Sequence, residues 1–373
     1  MAKFSRLIYA NSMQDADLLY ACKFQAPDPF AFLQHRGKKY LLLSDLELDR
    51  GRSEAKVDRV DSLSKVGEGL KKGASALPDM GAILIAWLRS FRLCALEVPA
   101  NFPLALARQL EGADFQLKTV AGTFCKERQV KSPSELKALR KILRITETGM
   151  ERGWEVLKQA RVRKDRTLVW KGTPLTSARL RAEIDAAILY AGGQPGGTIV
   201  AGGEQACDPH ERGHGPLRAN ELIILDIFPR DPQTGFFGDL TRTVVRGKAS
   251  QAQRHLWETC LEGQKFALRS LRPGAKGSDL HETIKDRFSA AGYPTEQRSG
   301  RWCGFFHGTG HGLGLDLHEE PRFAATIFQA GQVFTIEPGL YYPGLGGVRH
   351  EDVATVTPSG RRVLTRLPKV LEI

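Results

Sequence analysis

The sequence predicts an α+β protein built as two domains, and three observations lead there. A chain of 373 residues is longer than a single compact core usually supports. Its first 130 residues alternate short apolar strands with helical stretches, as at residues 39–44 (KYLLLS) and 92–98 (RLCALEV), each followed by a candidate helix. That rhythm predicts a smaller α/β domain over residues 1–130. Residues 131–373 mix helices with strand-like segments that do not keep a βαβ order, which predicts a second, α+β domain.

A long helix is expected over residues 132–159, between the two domains. Ser132 or Ser134 can cap it, Glu135 sits in its first turn, and Leu136, Leu139, Ile142, Leu143 and Ile145 recur at helical spacing. Amphipathic helices follow at 177–191, 251–271 and 278–291. Strands are expected at 198–201, 222–228, 240–245, 333–336 and 348–356.

Composition excludes several classes. With 42% hydrophobic and 26% charged residues, the chain is of ordinary globular type. The longest apolar run, residues 80–88, is stopped by Arg89 and is far short of the roughly 20 residues that span a bilayer. The first stretch, MAKFSRLIYANSMQ, has no apolar leader core, so a cytoplasmic protein without a membrane segment is expected. Six scattered cysteines form no CxxC pair and are expected as reduced, mostly buried thiols. The net charge of +12 invites a nucleic-acid reading, since Lys and Arg release counterions from phosphate. The densest basic run, Arg161 to Lys171, has only Trp170 as an aromatic platform, so a solvated basic face and no nucleic-acid partner are expected.

The chemistry concentrates in three windows. Six of the nine histidines lie in or near them: His210 and His214, then His307, His311 and His318, then His350. His35, His255 and His281 are expected to serve the surface or the packing. In the first window Asp226 ends an apolar strand, and Asp239 follows a Gly-containing turn at the start of the next. Carboxylates on adjacent strands can share a cation or bridge two, although Asp also favours turns, which suits Asp231 beside Pro232.

In the second window His307 and His311 are four apart, but the glycines at 308, 310, 312 and 314 make a regular helix costly, at roughly 1 kcal/mol each. An extended Gly-rich strand is expected instead, with its backbone close to a ligand. The third window places Glu337 at the end of an apolar strand, then a Gly-rich hairpin, then Glu351 inside the next strand. A carboxylate is costly to bury there unless a cation accompanies it. Four carboxylates would balance two divalent ions, with one imidazole left to differentiate them.

The segments 226–243 (DIFPRDPQTGFFGDLTRT), 307–321 (HGTGHGLGLDLHEEP), 335–342 (TIEPGLYY) and 348–352 (VRHED) resemble, in order and spacing, the metal-binding motifs of the pita-bread metallopeptidases. That family includes methionine aminopeptidase, aminopeptidase P and prolidase. The resemblance covers roughly residues 130 to 370. The separate N-terminal domain, similar to that of creatinase, and the HGxGHxxGLDxHE form resemble the prolidase and aminopeptidase P branch. Two departures are that the Asp226 to Asp239 spacing is about two residues longer than the usual form, and that Ile227 and Phe228 replace small residues. Both bear on substrate choice.

The resemblance implies a metallopeptidase with two divalent metal ions held by Asp226, Asp239, His311, Glu337 and Glu351. Mn(II), Co(II) or Fe(II) suit this oxygen-rich set, and Zn(II) is compatible. It implies that a metal-bridging hydroxide attacks an X-Pro bond, in an X-Pro dipeptide or at the N-terminus of a longer peptide. Glu337 would shuttle the proton, and His318 and His210 would contact the substrate carbonyl and the tetrahedral intermediate. His214 is the alternative to His210. His307 would line the specificity side, and Arg349 would either order Glu351 or receive a substrate carboxylate. A homodimer is implied, with the N-terminal domain contributing to the interface. A creatinase-like amidinohydrolase and a catalytically silent binding protein are the alternative readings.

Overall fold

Alternating apolar residues put both faces of one sheet to use in the first part of the chain. The computed structural model describes residues 4–70 and 78–373 and divides into two units, Met1–Arg128 and Gln129–Ile373. In the first unit β1 (Ser5–Ala10), β2 (Phe30–His35), β3 (Lys38–Leu43), β4 (Arg59–Ser62), β5 (Ala95–Pro99) and β6 (Gln116–Val120) form a mixed sheet in the order β4-β3-β2-β1-β5-β6. Leu7, Ala31, Leu33 and Leu42 pack into one apolar cluster, and Ile8, Phe30, Phe32, Leu41 and Leu43 into another. Period-two side chains on a doubly covered sheet produce that split. Helices α1 (Ala16–Cys22), α2 (Leu48–Glu54), α3 (Leu63–Leu70), α4 (Met80–Ser90) and α5 (Leu104–Gly112) complete this unit. The apolar run at 80–88 is therefore part of α4, where Trp87 and Leu88 are buried. Among the described residues no helix is long and apolar enough to cross a membrane. The first three residues of the stretch read for a leader lie outside the described residues.

The second unit opens on α6 (Pro133–Gln159), whose start is the one expected: Ser132 and Glu135 form a reciprocal capping box with Pro133 in the first turn. Then come β7 (Arg161–Val162), β8 (Leu168–Trp170), β9 (Thr173–Pro174) and α7 (Ser177–Tyr190). The Trp170 ring is buried, and Lys171 and Arg179 lie 4.1 and 5.7 Å from its centre. The platform in the basic run is thus occupied by the protein's own cations.

The strand pairs in the rest of the unit are antiparallel, and a parallel bridge joins Val245 to Glu372. Strands β10 (Ile199–Gly202), β11 (Leu222–Ile227) and β12 (Leu240–Val245) form one sheet. Helices α8 (Gln251–Ser270) and α9 (Gly277–Ala290) and a hairpin of β13 (Glu296–Arg298) and β14 (Arg301–Cys303) follow. Strand β15 (Val333–Ile336) pairs with β18 (Asp352–Thr357), which also pairs with β19 (Gly360–Val363). Strands β16 (Gly339–Tyr342) and β17 (Gly346–Arg349) form a separate hairpin. Phe288, Phe305, Phe323, Phe328 and Phe334 fill the core beneath them.

Two expectations need correction. The single strand expected over 348–356 is broken at His350 and Glu351, because Arg349 pairs with Gly339 whereas Asp352 pairs with Ile336 in another sheet. The Glu351 N–H leaves both ladders and donates to the Thr241 carbonyl of β12 at 3.1 Å. The Gly-rich window 305–321 is an irregular loop rather than a strand, tied down by isolated bridges from Gly312 to Glu319 and Phe334. All six cysteines are free, and Cys94 alone of them is exposed.

Helices α6 and α7 meet at Gly149, where an added Cβ would lie 2.9 Å from Ile188 Cγ1. Gly149→Leu should destabilise the protein by about 1–3 kcal/mol through overpacking, even after the gain of about 1 kcal/mol in helix propensity. Glu151→Leu, on the exposed side of the same helix, should stay within about 0.5 kcal/mol. Chemical denaturation of the two variants side by side tests the contact.

Candidate metal centre

Each acidic side chain of the site stands where a strand ends, begins or changes partner. Asp226 is the penultimate residue of β11 and pairs with Ile199 on one side and Thr241 on the other. Asp239 immediately precedes β12. Glu337 follows β15, and its N–H donates to the Thr309 carbonyl at 2.8 Å. Glu351 occupies the switch between β17 and β18. Asp231, by contrast, is the turn residue it was read as: its carbonyl accepts from Gly235 and its carboxylate from Gln233.

The four carboxylates and His311 line one cavity of about 690 Å³. Asp239, His311 and Glu351 each offer a ligand atom within 4.8 Å of the others. His311 Nε2 lies 3.1 Å from Glu337 Oε1 and 3.6 Å from Asp239 Oδ2. Its Nδ1 lies 3.1 Å from the Gly312 carbonyl, and donation there turns the Nε2 position towards the carboxylates.

Neutral hydroxyls and one arginine hold one oxygen of three of these acids. Thr241 donates to Glu351 Oε2 at 2.8 Å, Thr335 to Glu337 Oε1 at 2.9 Å, and Arg349 Nη2 to Asp226 Oδ2 at 2.6 Å. The other oxygens of Asp226 and Glu351, Oδ1 and Oε1, are buried with no hydrogen-bond partner. An unpaired buried acceptor costs about 1–3 kcal/mol, and a carboxylate more. Two orphaned carboxylate oxygens beside an imidazole, in a set with no thiolate, fit divalent cations.

The electrostatics agree. Burial, followed by repulsion from Glu351, Asp226 and Glu337, raises Asp239 well above the usual carboxylate range. Burial, with Glu337 and Asp226 nearby, does the same to Glu351. Burial also pushes Glu337 upward, but the hydrogen bond and charge of His311 outweigh it and hold Glu337 down at about 2. His311 is raised in turn: burial lowers it, and the contact with Glu337 more than compensates.

Of the two histidines proposed for the carbonyl-binding role, His210 lines the cavity, whereas His214 is 78% exposed and turned to Glu211. His318 also lines the cavity, with its ring centre 4.2 Å from that of His311. His307 lines it too, but is engaged inside the protein: Nδ1 donates to the Gly308 carbonyl and Nε2 accepts from the Tyr341 hydroxyl at 2.9 Å. Burial holds His307 down at about 4. His350 is buried edge-on against Trp257, away from the cavity wall.

Arg349 is buried and donates through Nε to Thr241, through Nη1 to Tyr341 and through Nη2 to Asp226. The carboxylate it grips is that of Asp226, not Glu351, and these bonds tie the guanidinium into the site wall. They favour the ordering role over that of receiving a substrate carboxylate.

Sequence reasoning missed Thr241, Thr335, Tyr341 and Arg322. Thr241 faces Asp226 across the ladder and Thr335 stands two residues before Glu337, so strand alternation put both on the site's face. Arg322, four residues beyond His318, lines the cavity, is exposed, and has no side-chain partner among the described residues.

Residues 137–358, more than half of the chain, match metallopeptidase family M24. The Xaa-Pro dipeptidase of Pyrococcus furiosus is 30% identical over 257 residues, covering 65% of this chain and 70% of that protein. The prolidase of Pyrococcus horikoshii superposes with a TM-score of 0.79 at 24% identity, over 99% of this chain and 95% of that one. The X-Pro aminopeptidase of Thermotoga maritima does so with a TM-score of 0.82 at 20% identity, over 99% and 97%. The chain therefore belongs to metallopeptidase family M24 and has its pita-bread fold.

Proposed function

We propose that the protein is a metal-dependent X-Pro dipeptidase. The observation that carries the proposal is the convergence of Asp226, Asp239, His311, Glu337 and Glu351 on one cavity, with two buried carboxylate oxygens left unpaired. These five residues would hold two divalent ions, Mn(II), Co(II) or Fe(II) by their oxygen-rich donors, with Zn(II) compatible. Such ions supply a water acidic enough to attack an amide at neutral pH, and polarise its carbonyl. Family membership and the named activity of the Pyrococcus furiosus relative support the substrate class. X-Pro bonds call for a dedicated enzyme because proline's tertiary amide has no N–H.

The chain's own residues then have distinct tasks. Glu337, ionised and oriented by Thr335, accepts the proton of the attacking water and passes it to the proline nitrogen. His318 and His210, on the cavity wall, donate hydrogen bonds to the carbonyl oxygen as charge develops on it. His307, kept neutral, lines the specificity side together with Phe228 and Phe306. Arg349 orders Asp226. Arg322, charged and unengaged at the cavity, receives the carboxylate of the dipeptide's proline.

Incubation of metal-stripped protein with Mn(II) or Co(II), then with an X-Pro dipeptide and a longer X-Pro peptide, tests the reading. The dipeptide should be cleaved in preference. Cleavage of the longer peptide alone would make the protein an aminopeptidase, and cleavage of neither with metal bound would remove the X-Pro assignment. Asp239→Ala should abolish both metal stoichiometry and turnover.

Arg322→Ala should raise KM for the dipeptide about tenfold, the worth of one exposed charge-assisted contact. It should leave KM for the corresponding dipeptide amide nearly unchanged. Equal effects on both substrates would remove Arg322 from carboxylate recognition.

Stability should depend on pH through the same acids. A carboxylate raised in the folded state stabilises at low pH and loses that contribution as pH rises through its folded value; the raised His311 acts in the same direction. Glu337, held at about 2, contributes fully above its unfolded value and adds no slope near neutrality. Metal-stripped protein should therefore lose Tm as pH rises above the ordinary carboxylate range, and the gain in Tm on adding Mn(II) should widen in the same direction. A gain independent of pH in differential scanning fluorimetry would contradict this.

A further inference from the structure

We propose that Lys131 is a positioning residue for His318, acting through a buried ion pair with Glu319 that fixes the loop from Gly312 to Glu319. The Lys131 ammonium meets the Glu319 Oε1 carboxylate oxygen, and both side chains are only 3% exposed. Glu319 Oε2 accepts from the N–H groups of Leu315 and Asp316, at 3.1 and 3.4 Å. The carboxylate is therefore folded back into its own loop, and at Gly314 any Cβ would lie 2.3 Å from Glu319 Oε1. The Glu319 N–H closes the loop on the Gly312 carbonyl at 2.9 Å.

His318 directly precedes Glu319 in the chain and is exposed to the cavity, so its direction follows from the loop that carries it. Its ring rests against His311 at 4.2 Å, and its nitrogens make no hydrogen bond among the described residues. What sets its direction is the backbone of the closed loop, and that backbone is shaped around a buried carboxylate. Lys131 is itself held: its N–H donates to the Gly331 carbonyl at 2.8 Å, and Ser132, the cap of α6, follows directly. The ammonium thus reaches the loop from a rigid helix start. A buried charge pair is weak evidence of stability, but removing one partner disturbs the other strongly. The disturbance would fall on the loop that carries His318, while Asp226 stands on β11, and Asp239, Glu337 and Glu351 stand beside strand ends, all outside that loop.

The kinetic arm of the test rests on the peptidase reading; the spectroscopic arm does not. In full-length protein loaded with diamagnetic Zn(II) and carrying 13C-labelled histidine, the His318 Cε1–H signal is assigned by its loss in His318→Ala. Lys131→Met should shift or broaden that signal while leaving the signal of His255, on α8, in place. With Mn(II) and an X-Pro dipeptide, Lys131→Met should bind the same number of metal equivalents but lose about tenfold or more in kcat, within the range for one misplaced hydrogen-bond donor. KM should change far less, and Lys131→Arg should recover kcat to within about threefold of the original protein. Glu319→Gln, which keeps the size and removes the charge, repeats the comparison should Lys131→Met fold poorly. An unmoved His318 signal in Lys131→Met overturns the proposal. So does loss of metal in step with kcat, or an equal loss in Lys131→Met and Lys131→Arg.

Discussion

Four carboxylates crowded into one buried cavity, those of Asp226, Asp239, Glu337 and Glu351, set the terms for everything around them. Each desolvated charge disfavours the next, and burial with mutual repulsion forces Asp239 and Glu351 towards their neutral forms. A fold can tolerate such a cluster only if its scaffold is rigid and counter-charge is at hand. The chain supplies Arg349 and His311 against four acids, which leaves an excess of negative charge for cations. The threonine hydroxyls at 241 and 335 fix oxygens without adding charge, so they orient the acids without competing for that role.

The scaffold meets the demand twice with the same device. Strand β11 delivers Asp226, a loop follows, and Asp239 leads into β12; strand β15 delivers Glu337, a hairpin follows, and Glu351 leads into β18. Thr241 joins the two halves. It pairs with Asp226 in register, its hydroxyl donates to Glu351 Oε2, and its carbonyl accepts the Glu351 N–H. On the opposite face of β12 the buried Arg242 donates to the carbonyls of Glu351 and Leu367 and to Asp352. The backbone at Glu351 is thus held from both sides of one strand, which is why it can depart from both of its own ladders.

The acids were legible in the sequence because a carboxylate closing an apolar strand has no packing role, as at LIILD before Ile227 and VFTI before Glu337. The capping box of α6 was legible for a similar local reason, Ser132 and Glu135 being three apart. What surrounds the acids was not. Thr241 and Thr335 are ordinary strand residues, and nothing local distinguishes them from Thr243 or Thr355. The break at His350 depends on a change of partner between β17 and β18, a non-local fact that period-two alternation cannot register. Arg322 and Lys131 are two of 54 basic residues, and their separate surroundings, one open to the cavity and one sealed against Glu319, exist only in the folded chain.

The wiring of the histidines shows how one cavity can keep chemically alike groups apart. His307 is joined to Tyr341, which in turn accepts from Arg349. A cation at the head of that chain makes the tyrosine a firmer donor and His307 a neutral acceptor, in keeping with its value of about 4. His311 has the opposite setting, since its contact with Glu337 favours the protonated ring, and a divalent cation would take the proton's place at Nε2. His318 is bound to neither network: burial lowers it and the charge of His311 lowers it further, so it is neutral, with an N–H to offer. Neutrality suits a hydrogen-bond donor that must release its partner after the bond is cut. Three imidazoles within one loop, at 307, 311 and 318, are thereby set apart for the proposed tasks of wall group, ligand and donor by what lies behind each ring rather than by where it stands in the sequence.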